Sequence, residues 1–294
     1  ALADVNNDNK SDIVFANLIR SSRPSSRSTV SILLNAGNGT FSSQTNYSVS
    51  GYPSAIAVAD VNSDNKHDII FVNSDRESDN FLEKRNLNFI SVLLNKGNGT
   101  FFSQTDYKLR LSRISVAVVV ADVNSDNKPD IVTANAIFSG VSVFLNTGNG
   151  TFSSETDYSA GPHPVSVAVA DVNSDNKPDI VTANGRSNSV SVLLNIGNGT
   201  FSLQTTYAVG SNPYSVAVAN VNCDNKPDIV AANANSSSIS VLLNTGNGTF
   251  SPQTTYLVSE NPHSVAVADV NSDKKSDIVV ANTNGNTVSV LLQS

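Results

Sequence analysis

Residues 166–181 read Ser-Val-Ala-Val-Ala-Asp-Val-Asn-Ser-Asp-Asn-Lys-Pro-Asp-Ile-Val, and this stretch decides the fold. It contains a segment in which Val alternates with Ser or Ala, a loop of nine positions that begins at Asp171, and an apolar segment that starts at Asp179. Such segments on both sides of a turn-rich loop are typical of two antiparallel strands. The stretch returns nearly unchanged at residues 264–279. The sequence therefore predicts a repeated β-unit.

The loop has the pattern Asp-x-Asn-x-Asp-x-Lys-x-Asp and occurs six times, with Asn220 in place of the first Asp in the fifth copy. The first positions are residues 4, 60, 122, 171, 220 and 269, so successive copies are 56, 62, 49, 49 and 49 residues apart. The unit is therefore 49 residues long, with insertions in the first two copies. Periods of about 40–50 residues with several strands per unit are typical of β-propellers.

Each unit is expected to form four short antiparallel strands. In the fourth copy these are residues 166–172, 179–184, 189–195 and about 205–209. The predicted fold class is all-β, a single β-propeller domain of about six four-stranded antiparallel blades over residues 1–294. The last blade is expected to be incomplete, because the sequence stops right after its third strand. The expected blades are residues 1–52, 53–114, 115–163, 164–212, 213–261 and 262–294.

The chemistry of the loop points to a cation. Oxygen-bearing side chains at positions 1, 3, 5 and 9, with a backbone carbonyl at position 7, are ligands that Ca²⁺ takes at roughly 2.3–2.6 Å. Mg²⁺ fits less well, because it prefers octahedral geometry with several retained waters. The alternative is a metal-free turn, since Asn and Asp tolerate positive φ and bond their own backbone.

Turn preference explains the Asn at position 6 of five copies, but it does not explain three carboxylates at fixed offsets, which repel one another without a cation. We therefore expect up to six Ca²⁺ ions, one per repeat. The expected ligands are Asp4, Asn6, Asp8, Lys10, Asp12, Asp60, Asn62, Asp64, Lys66, Asp68, Asp122, Asn124, Asp126, Lys128, Asp130, Asp171, Asn173, Asp175, Lys177, Asp179, Asn220, Asn222, Asp224, Lys226, Asp228, Asp269, Asn271, Asp273, Lys275 and Asp277.

Composition narrows the class of protein. The formal net charge is −7, and 17 of the 25 acidic residues are loop Asp, three in each of five copies and two in the fifth. Six Ca²⁺ ions would add +12 and bring the net charge to about +5, so the negative net charge of the chain comes from the loop carboxylates.

An acidic chain without a continuous basic stripe argues against a nucleic-acid partner. No apolar run approaches the ~18 residues of a membrane helix, and the single Cys223 excludes an internal disulfide.

Aromatic residues recur at two positions of the unit. Recurrence at the same place in every repeat is what packing between adjacent blades requires, so we expect these residues in the core and not on a ligand-stacking surface. The two series are Phe41, Phe101, Phe152, Phe201 and Phe250, and Tyr47, Tyr107, Tyr158, Tyr207 and Tyr256.

Residues 166–181 and their near-copy at 264–279 resemble the FG-GAP/VCBS-like repeat family, and the resemblance extends over all six copies. It implies blades of an integrin-alpha-type β-propeller with calcium between the first two strands. It also implies that loop positions 1, 3, 5 and 9 are side-chain ligands, and that the Lys at position 7 lends its carbonyl while its side chain points to solvent. Two copies depart from the pattern, with Asn220 at position 1 of loop five and Lys274 at the sharp bend of loop six.

The expected function is a non-enzymatic calcium-binding β-propeller for extracellular adhesion or for recognition of a protein or glycan. The chain lacks Gly-x-Ser-x-Gly, His-Glu-x-x-His and a phosphate-binding Gly-rich loop with Lys. The alternatives are a lectin-type carbohydrate-binding propeller, which the absence of Trp weakens, and a propeller module of a lyase or dehydratase. We expect a monomeric domain or part of a longer chain.

Loops of modest charge suit extracellular calcium, so the expected location is secreted or on the extracellular side of a surface protein. Eight glycosylation acceptors of the form Asn-x-Ser/Thr accord with this location, although hairpin turns also produce the Asn-Gly-Thr copies among them. They are Asn9, Asn38, Asn46, Asn98, Asn149, Asn198, Asn235 and Asn247.

A partner could bind at the loops where repeats differ. Residues 18–30 and 74–90 are insertions between the second and third strands of the first two copies. Long loops on a rigid scaffold often carry binding residues, but they are also tolerated because they cost little in closure entropy. Both interpretations are open. Four residues outside the repeat pattern are further candidate contacts: Tyr52, His163, Tyr214 and His263.

Overall fold

The computed structural model describes residues 1–17, 28–73, 89–110 and 115–293. Contacts divide the chain into two compact units, one made of Ala1–Asp122, Asp126–Thr133 and Val143–Glu155, and the other of Val123–Ser125, Ala134–Ser142 and Thr156–Ser294. The fold is all-β and is built from repeated four-stranded antiparallel sheets. The part of the chain that the structure describes has no helix of the length and apolarity that a membrane crossing needs.

The first unit contains the sheets of the first two repeats, each with strands in sequence order. The first sheet consists of β1 (Leu2–Ala3), β2 (Asp12–Asn17), β3 (Thr29–Leu33) and β4 (Thr45–Ser48). The second consists of β5 (Pro53–Ala59), β6 (Asp68–Asn73), β7 (Phe89–Leu93) and β8 (Thr105–Lys108). The third repeat contributes residues to both units. Its strands are β9 (Ser115–Ala121), β10 (Asp130–Asn135), β11 (Gly140–Phe144), β12 (Asn146–Gly148), β13 (Thr151–Phe152) and β14 (Thr156–Ser159).

The second unit contains the sheets of the last three repeats. The fourth repeat has β15 (Pro164–Ala170), β16 (Asp179–Asn184), β17 (Ser189–Leu193), β18 (Asn195–Gly197), β19 (Thr200–Phe201) and β20 (Thr205–Ala208). The fifth has β21 (Pro213–Ala219), β22 (Asp228–Asn233), a 3₁₀ turn (Ala234–Ser236), β23 (Ser238–Leu242), β24 (Asn244–Gly246), β25 (Thr249–Phe250) and β26 (Thr254–Leu257). The sixth has β27 (Pro262–Ala268), β28 (Asp277–Asn282) and β29 (Thr287–Leu291).

The fourth repeat shows how the pattern becomes structure. Its sheet has the order β15-β16-β17-β20, and β18 and β19 form a separate small hairpin. The first strand begins at Pro164, two residues earlier than the sequence predicted, and an irregularity in register between Pro164 and Ser166 accommodates this start. The third strand ends at Leu193 instead of Asn195, because Asn195 pairs with Phe201 in the hairpin.

Burial follows the position of a strand in its sheet. Every residue of β16 and β17 is buried, whereas β20 is mostly exposed. Side chains of the next repeat cover one face of the two middle strands. Around Phe250, for example, the core joins Val192 of the fourth repeat to Ile229 and Leu242 of the fifth. The small residues of the first strands allow close approach, so that β15 lies beside β21, and β21 beside β27.

The recurring aromatics pack between successive repeats, as the sequence predicted, with two exceptions. Tyr207 meets Phe250 of the next repeat edge to face, with ring centroids 5.4 Å apart. Tyr47 and Phe101 form the same contact at 5.3 Å. The expectation of burial is wrong for Phe41 and Tyr256, which are 41% and 45% exposed, because within the described residues neither ring meets the Tyr or Phe of an adjacent repeat.

Candidate metal centres

Each repeated loop connects the first and second strands of its sheet. In the fourth repeat, β15 ends at Ala170, the loop occupies residues 171–178, and its ninth position, Asp179, is the first residue of β16. Two loop residues take the left-handed conformation, Ser174 with φ of 62° and Asn176 with φ of 63°. The bend at position 6 was predicted from its Asn, which tolerates this region. The second bend, at position 4, was not predicted.

Side-chain oxygens from positions 1 and 3 converge on one backbone amide. The amide of Asp175 donates to Asp171 Oδ1 at 3.1 Å and to Asn173 Oδ1 at 3.2 Å. The amide of Asn176 donates to the second oxygen of Asp171 at 2.8 Å. The second loop repeats this arrangement with Asp60 and Asn62. The loop backbone therefore holds two expected ligands close together.

The Lys at position 7 lies against the Asp at position 5. The ammonium Nζ of Lys177 is 3.0 Å from Asp175 Oδ2, and the Lys177 amide donates to Asp175 Oδ1 at 3.0 Å. Partial desolvation acts to raise the pKa of Asp175, but the hydrogen bonds outweigh it and hold this pKa below its usual range. Loops one, two, three and five contain the same ion pair. In these five loops the Lys side chain is partly exposed, and its ammonium is paired with the Asp at position 5.

The Asp at position 9 is fully buried and accepts two backbone hydrogen bonds. Asp179 accepts one from the Val172 amide at 2.8 Å and one from the Asn195 amide at 2.7 Å. Burial, together with the nearby charges of Asp175 and Asp171, raises the pKa of Asp179 to about 6, although the two hydrogen bonds lower it. Asp68 in the second loop has the same two kinds of partner and also a pKa of about 6. The Asp179 carboxylate therefore connects its loop to the first residue of the β18–β19 hairpin.

Sequence reasoning missed the Asn that links successive loops. Asn244 donates through Nδ2 to the Val172 carbonyl of the fourth loop at 2.8 Å and to the Pro227 carbonyl of the fifth loop at 2.9 Å. Its Oδ1 accepts the Gly246 amide at 2.8 Å, which fixes the hairpin turn. The signal was present in the sequence as a recurring Asn-x-Gly-Asn-Gly, at Asn35, Asn95, Asn146, Asn195 and Asn244.

Within the described residues, no group of three or more His, Cys, Asp or Glu side chains is arranged to hold a metal ion. The hydrogen bonds explain this. The carboxylate at position 9 accepts hydrogen bonds from two backbone amides, and the carboxylate at position 5 pairs with the Lys ammonium in five loops. The three carboxylates of a loop therefore do not point towards a common centre. The acidic residues of each loop are brought near one another, but they do not form a completed cage.

The donor chemistry of the loop nevertheless fits Ca²⁺. Positions 1, 3 and 5 offer carboxylate and amide oxygen atoms, which are the ligands that a hard cation prefers. An ionised carboxylate has about four lone-pair sites, so Asp171, which accepts two amide hydrogens, can still bind a cation. Rotation of the exposed Lys177 side chain would free the second oxygen of Asp175. Asp171, Asn173, Asp175 and the Lys177 carbonyl are therefore the residues that would hold the ion.

Loops five and six differ from the others in structure as well as sequence. Asn220 Oδ1 accepts a hydrogen bond from the Asp224 amide at 3.2 Å. Where Asp171 has its second oxygen, Asn220 has an amide nitrogen. This nitrogen cannot accept a hydrogen bond from the backbone amide of position 6. In loop six, Lys274 takes the bend with φ of 67°, a conformation that Lys adopts less readily than Asn. Here Asn271 Nδ2 donates to Asp273 Oδ2 at 3.0 Å.

The other candidate contacts are partly described. Tyr214 and His263, at the starts of β21 and β27, have ring centroids 3.7 Å apart. His163 precedes β15 with φ of 58°, and Tyr52 precedes β5. Most of each insertion, residues 18–27 of 18–30 and residues 74–88 of 74–90, lies outside the described residues.

Comparisons with known proteins identify the repeat and the fold. The model of the FG-GAP-like repeat family matches residues 4–71, 72–133, 122–182, 171–231 and 220–280, so that five matches extend over most of the chain. No curated protein matches the sequence.

Solved structures match the fold at low identity. One is a lectin of Agrocybe aegerita that recognises non-reducing terminal N-acetylglucosamine, with 18% identity, TM-score 0.59, and coverage of 96% of this chain and 80% of the lectin chain. BBS1N in complex with ARL6DN has 14% identity, TM-score 0.65, and coverage of 99% and 77%. Periplasmic gluconolactonase of Pseudomonas aeruginosa has 13% identity, TM-score 0.64, and coverage of 96% and 78%. The shared property is a propeller-like repeat fold.

Proposed function

This chain belongs to the FG-GAP-like repeat family, and we propose that it is a calcium-binding β-propeller module that recognises an extracellular protein or glycan without catalysing a reaction. In this proposal the six sheets are blades, and each repeated loop binds one Ca²⁺ ion. The observation that carries it is the convergence of side-chain oxygens from positions 1 and 3 on one backbone amide, as at Asp171 and Asn173.

Charge supports the calcium part of the proposal. The raised pKa of Asp179 arises from burial first and from the neighbouring carboxylates second. A bound cation would offset that repulsion. Lys177 already places one positive charge on Asp175, so it serves as a counter-ion that Ca²⁺ displaces. The loop is thus compatible with both the calcium-free and the calcium-bound forms.

The scaffold supports the recognition part. Tyr and Phe side chains and linking Asn residues join successive repeats, as between Tyr207 and Phe250, and such a scaffold can present variable loops at fixed positions. Of the similar folds, one is a lectin, one is complexed with another protein and one is a gluconolactonase. A lyase or dehydratase type of activity would need an acid/base pair, whereas 17 of the 25 acidic residues belong to the loops.

Calorimetric titration and thermal unfolding test the calcium part. We expect binding of up to six ions and a higher melting temperature in millimolar Ca²⁺ than in EDTA. A site with Kd near 10⁻⁴ M would contribute about 1.4 kcal/mol at millimolar Ca²⁺. The variant Asp175→Asn changes one loop only and should lower the number of bound Ca²⁺ ions by about one. Equal melting temperatures in Ca²⁺ and EDTA would refute calcium binding.

A glycan and extracellular-protein array, probed with and without Ca²⁺, tests recognition. We expect a ligand whose binding weakens in EDTA. Binding confined to glycans would identify the lectin-type alternative, and turnover of a bound sugar lactone or polysaccharide would identify the enzymatic one.

A further inference from the structure

A buried side-chain oxygen in the fifth repeat has no hydrogen-bond donor among the described residues. Asn233, the last residue of β22, is fully buried. Its Nδ2 donates to Ser240 Oγ at 2.9 Å and to Ser238 Oγ at 3.3 Å. Its Oδ1 is buried as well, but it lacks a partner. A buried acceptor without a donor is costly, so this atom needs an explanation.

The contacts of Ser240 fix the orientation of the Asn233 carboxamide. Ser240 Oγ accepts a hydrogen bond from the Gly210 amide at 3.2 Å and donates its own hydrogen to Gln253 Oε1. Because a hydroxyl has one hydrogen, Ser240 can only accept from Asn233, and the atom beside it must be Nδ2. Exchanging the oxygen and nitrogen of the carboxamide would therefore not satisfy Asn233.

The fourth repeat shows which group satisfies the same oxygen. Thr182 Oγ1 donates to Asn184 Oδ1 at 3.1 Å, and it is 3.2 Å from the carbonyl oxygen of Ala160, a second acceptor. Thr182 and Asn184 are two residues apart on β16, so their side chains share one face of the sheet. In the fifth repeat Ala231 stands 49 residues after Thr182 and supplies no hydroxyl.

The second acceptor is retained in the fifth repeat. Val209 stands 49 residues after Ala160. The Val209 amide donates to the Asn188 carbonyl at 3.0 Å, just as the Ala160 amide donates to the Ser139 carbonyl at 3.2 Å. Val209 also belongs to the same core cluster as Ala231. The repeat geometry therefore places the Val209 carbonyl beside Ala231.

The sixth repeat shows how much room Ala231 leaves. Val258 and Val280 stand at the positions of Val209 and Ala231, and they pack in one apolar cluster. Since the first member of each pair is Val, the site in the fifth repeat differs from that in the sixth by about two methyl groups. Such a space accommodates one water molecule, whose share of liquid volume is roughly 30 Å³.

We propose that Asn233 Oδ1, the Val209 carbonyl and the Ala231 methyl group form a binding site for one buried water molecule. The water donates one hydrogen to each oxygen, so two acceptors match its two donors. Buried waters typically make two to four hydrogen bonds to groups that otherwise lack a partner. The water joins the segment after β20 to the end of β22. That end of the strand is opposite to the repeated loop, so the site does not depend on the calcium proposal.

Oxygen-17 magnetic relaxation dispersion, which counts long-lived buried waters, tests this proposal on the whole chain. The measurement is made in EDTA, so that waters on bound calcium do not contribute. Ala231→Thr should lose one long-lived water, because its hydroxyl takes the place of the water. The matched control Thr182→Val removes a hydroxyl but keeps the side-chain volume, so the count should not change. An unchanged count in Ala231→Thr would overturn the proposal.

Urea unfolding gives an independent readout. Ala231→Val fills the site with methyl groups and leaves both oxygens without a donor, so the equilibrium constant for unfolding should rise on the order of tenfold. Ala231→Thr keeps a donor to Asn233 and should not unfold more readily than the wild type. If the site held no water, Ala231→Val would fill a cavity and stabilise the fold. A Val variant at least as stable as the wild type would therefore refute the water site.

Discussion

The hydroxyl of Tyr107 donates a hydrogen bond of 3.1 Å to the carbonyl oxygen of Gly150, in the hairpin of the following repeat. The ring of Tyr107 also meets Phe152 edge to face, with centroids 5.4 Å apart. Tyr158 makes the same two contacts with Gly199 and Phe201. One side chain thus fixes both the backbone and the core of the next repeat, which explains why the Tyr and the Phe recur together.

Replacing Tyr107 with Phe should remove the hydrogen bond and keep the ring contact. We expect the free energy of unfolding in urea to fall by about 1 kcal/mol, the usual worth of such a bond. The control is Tyr256→Phe, because Tyr256 has no Gly carbonyl of a following hairpin to bond within the described residues. Equal destabilisation by the two substitutions would contradict the assigned role of the hydroxyl.

Replacing Lys177 with Gln should strengthen calcium binding in the fourth loop. The ammonium of Lys177 lies 3.0 Å from Asp175 and competes with the ion, and a charge at about 4 Å in a solvated site is worth about 1 kcal/mol, or roughly fivefold in affinity. The shift of the Asn176 amide resonance with calcium concentration measures this site. Lys275→Gln is the control, since Asp273 is paired with Asn271 in loop six. A weaker fourth site after Lys177→Gln would refute the competition.

The calcium-free protein should lose stability as pH rises from about 4 to 7. Burial, helped by Asp175 and Asp171, raises the pKa of Asp179 to about 6, whereas an unfolded Asp titrates near 3.9. The folded state therefore binds this proton more tightly than the unfolded state does. The resulting contribution to the free energy of unfolding is fully present below pH 4 and is lost as pH rises through 6. The shift corresponds to roughly 3 kcal/mol at most. Urea unfolding in EDTA at several pH values measures the loss.

Two substitutions separate the contributing groups. Asp179→Asn should flatten the pH dependence, because it removes the group with the raised pKa. Asp175→Asn should flatten it to a smaller degree, because the charge of Asp175 is one of the causes that raise the pKa of Asp179. The lowered pKa of Asp175 itself stabilises the fold above about pH 4, and this contribution is lost only as pH falls further. A pH profile of Asp179→Asn that equals the wild-type profile would show that this carboxyl does not control the dependence.

Loop five should release calcium first, and Asn220→Asp should tighten it. The Asp restores one negative charge, and affinity depends on ligand charge. It also restores the second oxygen that, in the fourth loop, accepts the amide of position 6 at 2.8 Å. Calcium titration of the wild type and the variant, followed at the Asn225 amide, measures the change. If loop five of the wild type already binds as tightly as loop four, the ranking of the sites is wrong.

Features that depend on a few consecutive residues could be predicted from the sequence. The repeat of the loop gave the second strand at Asp179–Asn184 and the left-handed bend at Asn176, because alternation and turn preference act within a span of several residues. The family followed from the same stretch, and the matches to the FG-GAP-like repeat confirm it. Calcium binding and the identity of a ligand stay predictions, since they depend on atoms that spacing alone does not place.

Only the tertiary structure decided which groups those side chains meet. Spacing placed Asp179 among the ligands, but folding buries its carboxylate against the Val172 and Asn195 amides, because two backbone donors converge where the strand enters the core. The Lys177 ammonium pairs with Asp175 while the side chain stays partly exposed, because its flexible stem can reach the neighbouring charge. Tyr256 belongs to the same sequence series as Tyr207, yet it lines an open groove. A repeated residue is buried only where the next repeat supplies its partner, so local sequence determined the strand and the loop, and packing between repeats determined the contacts.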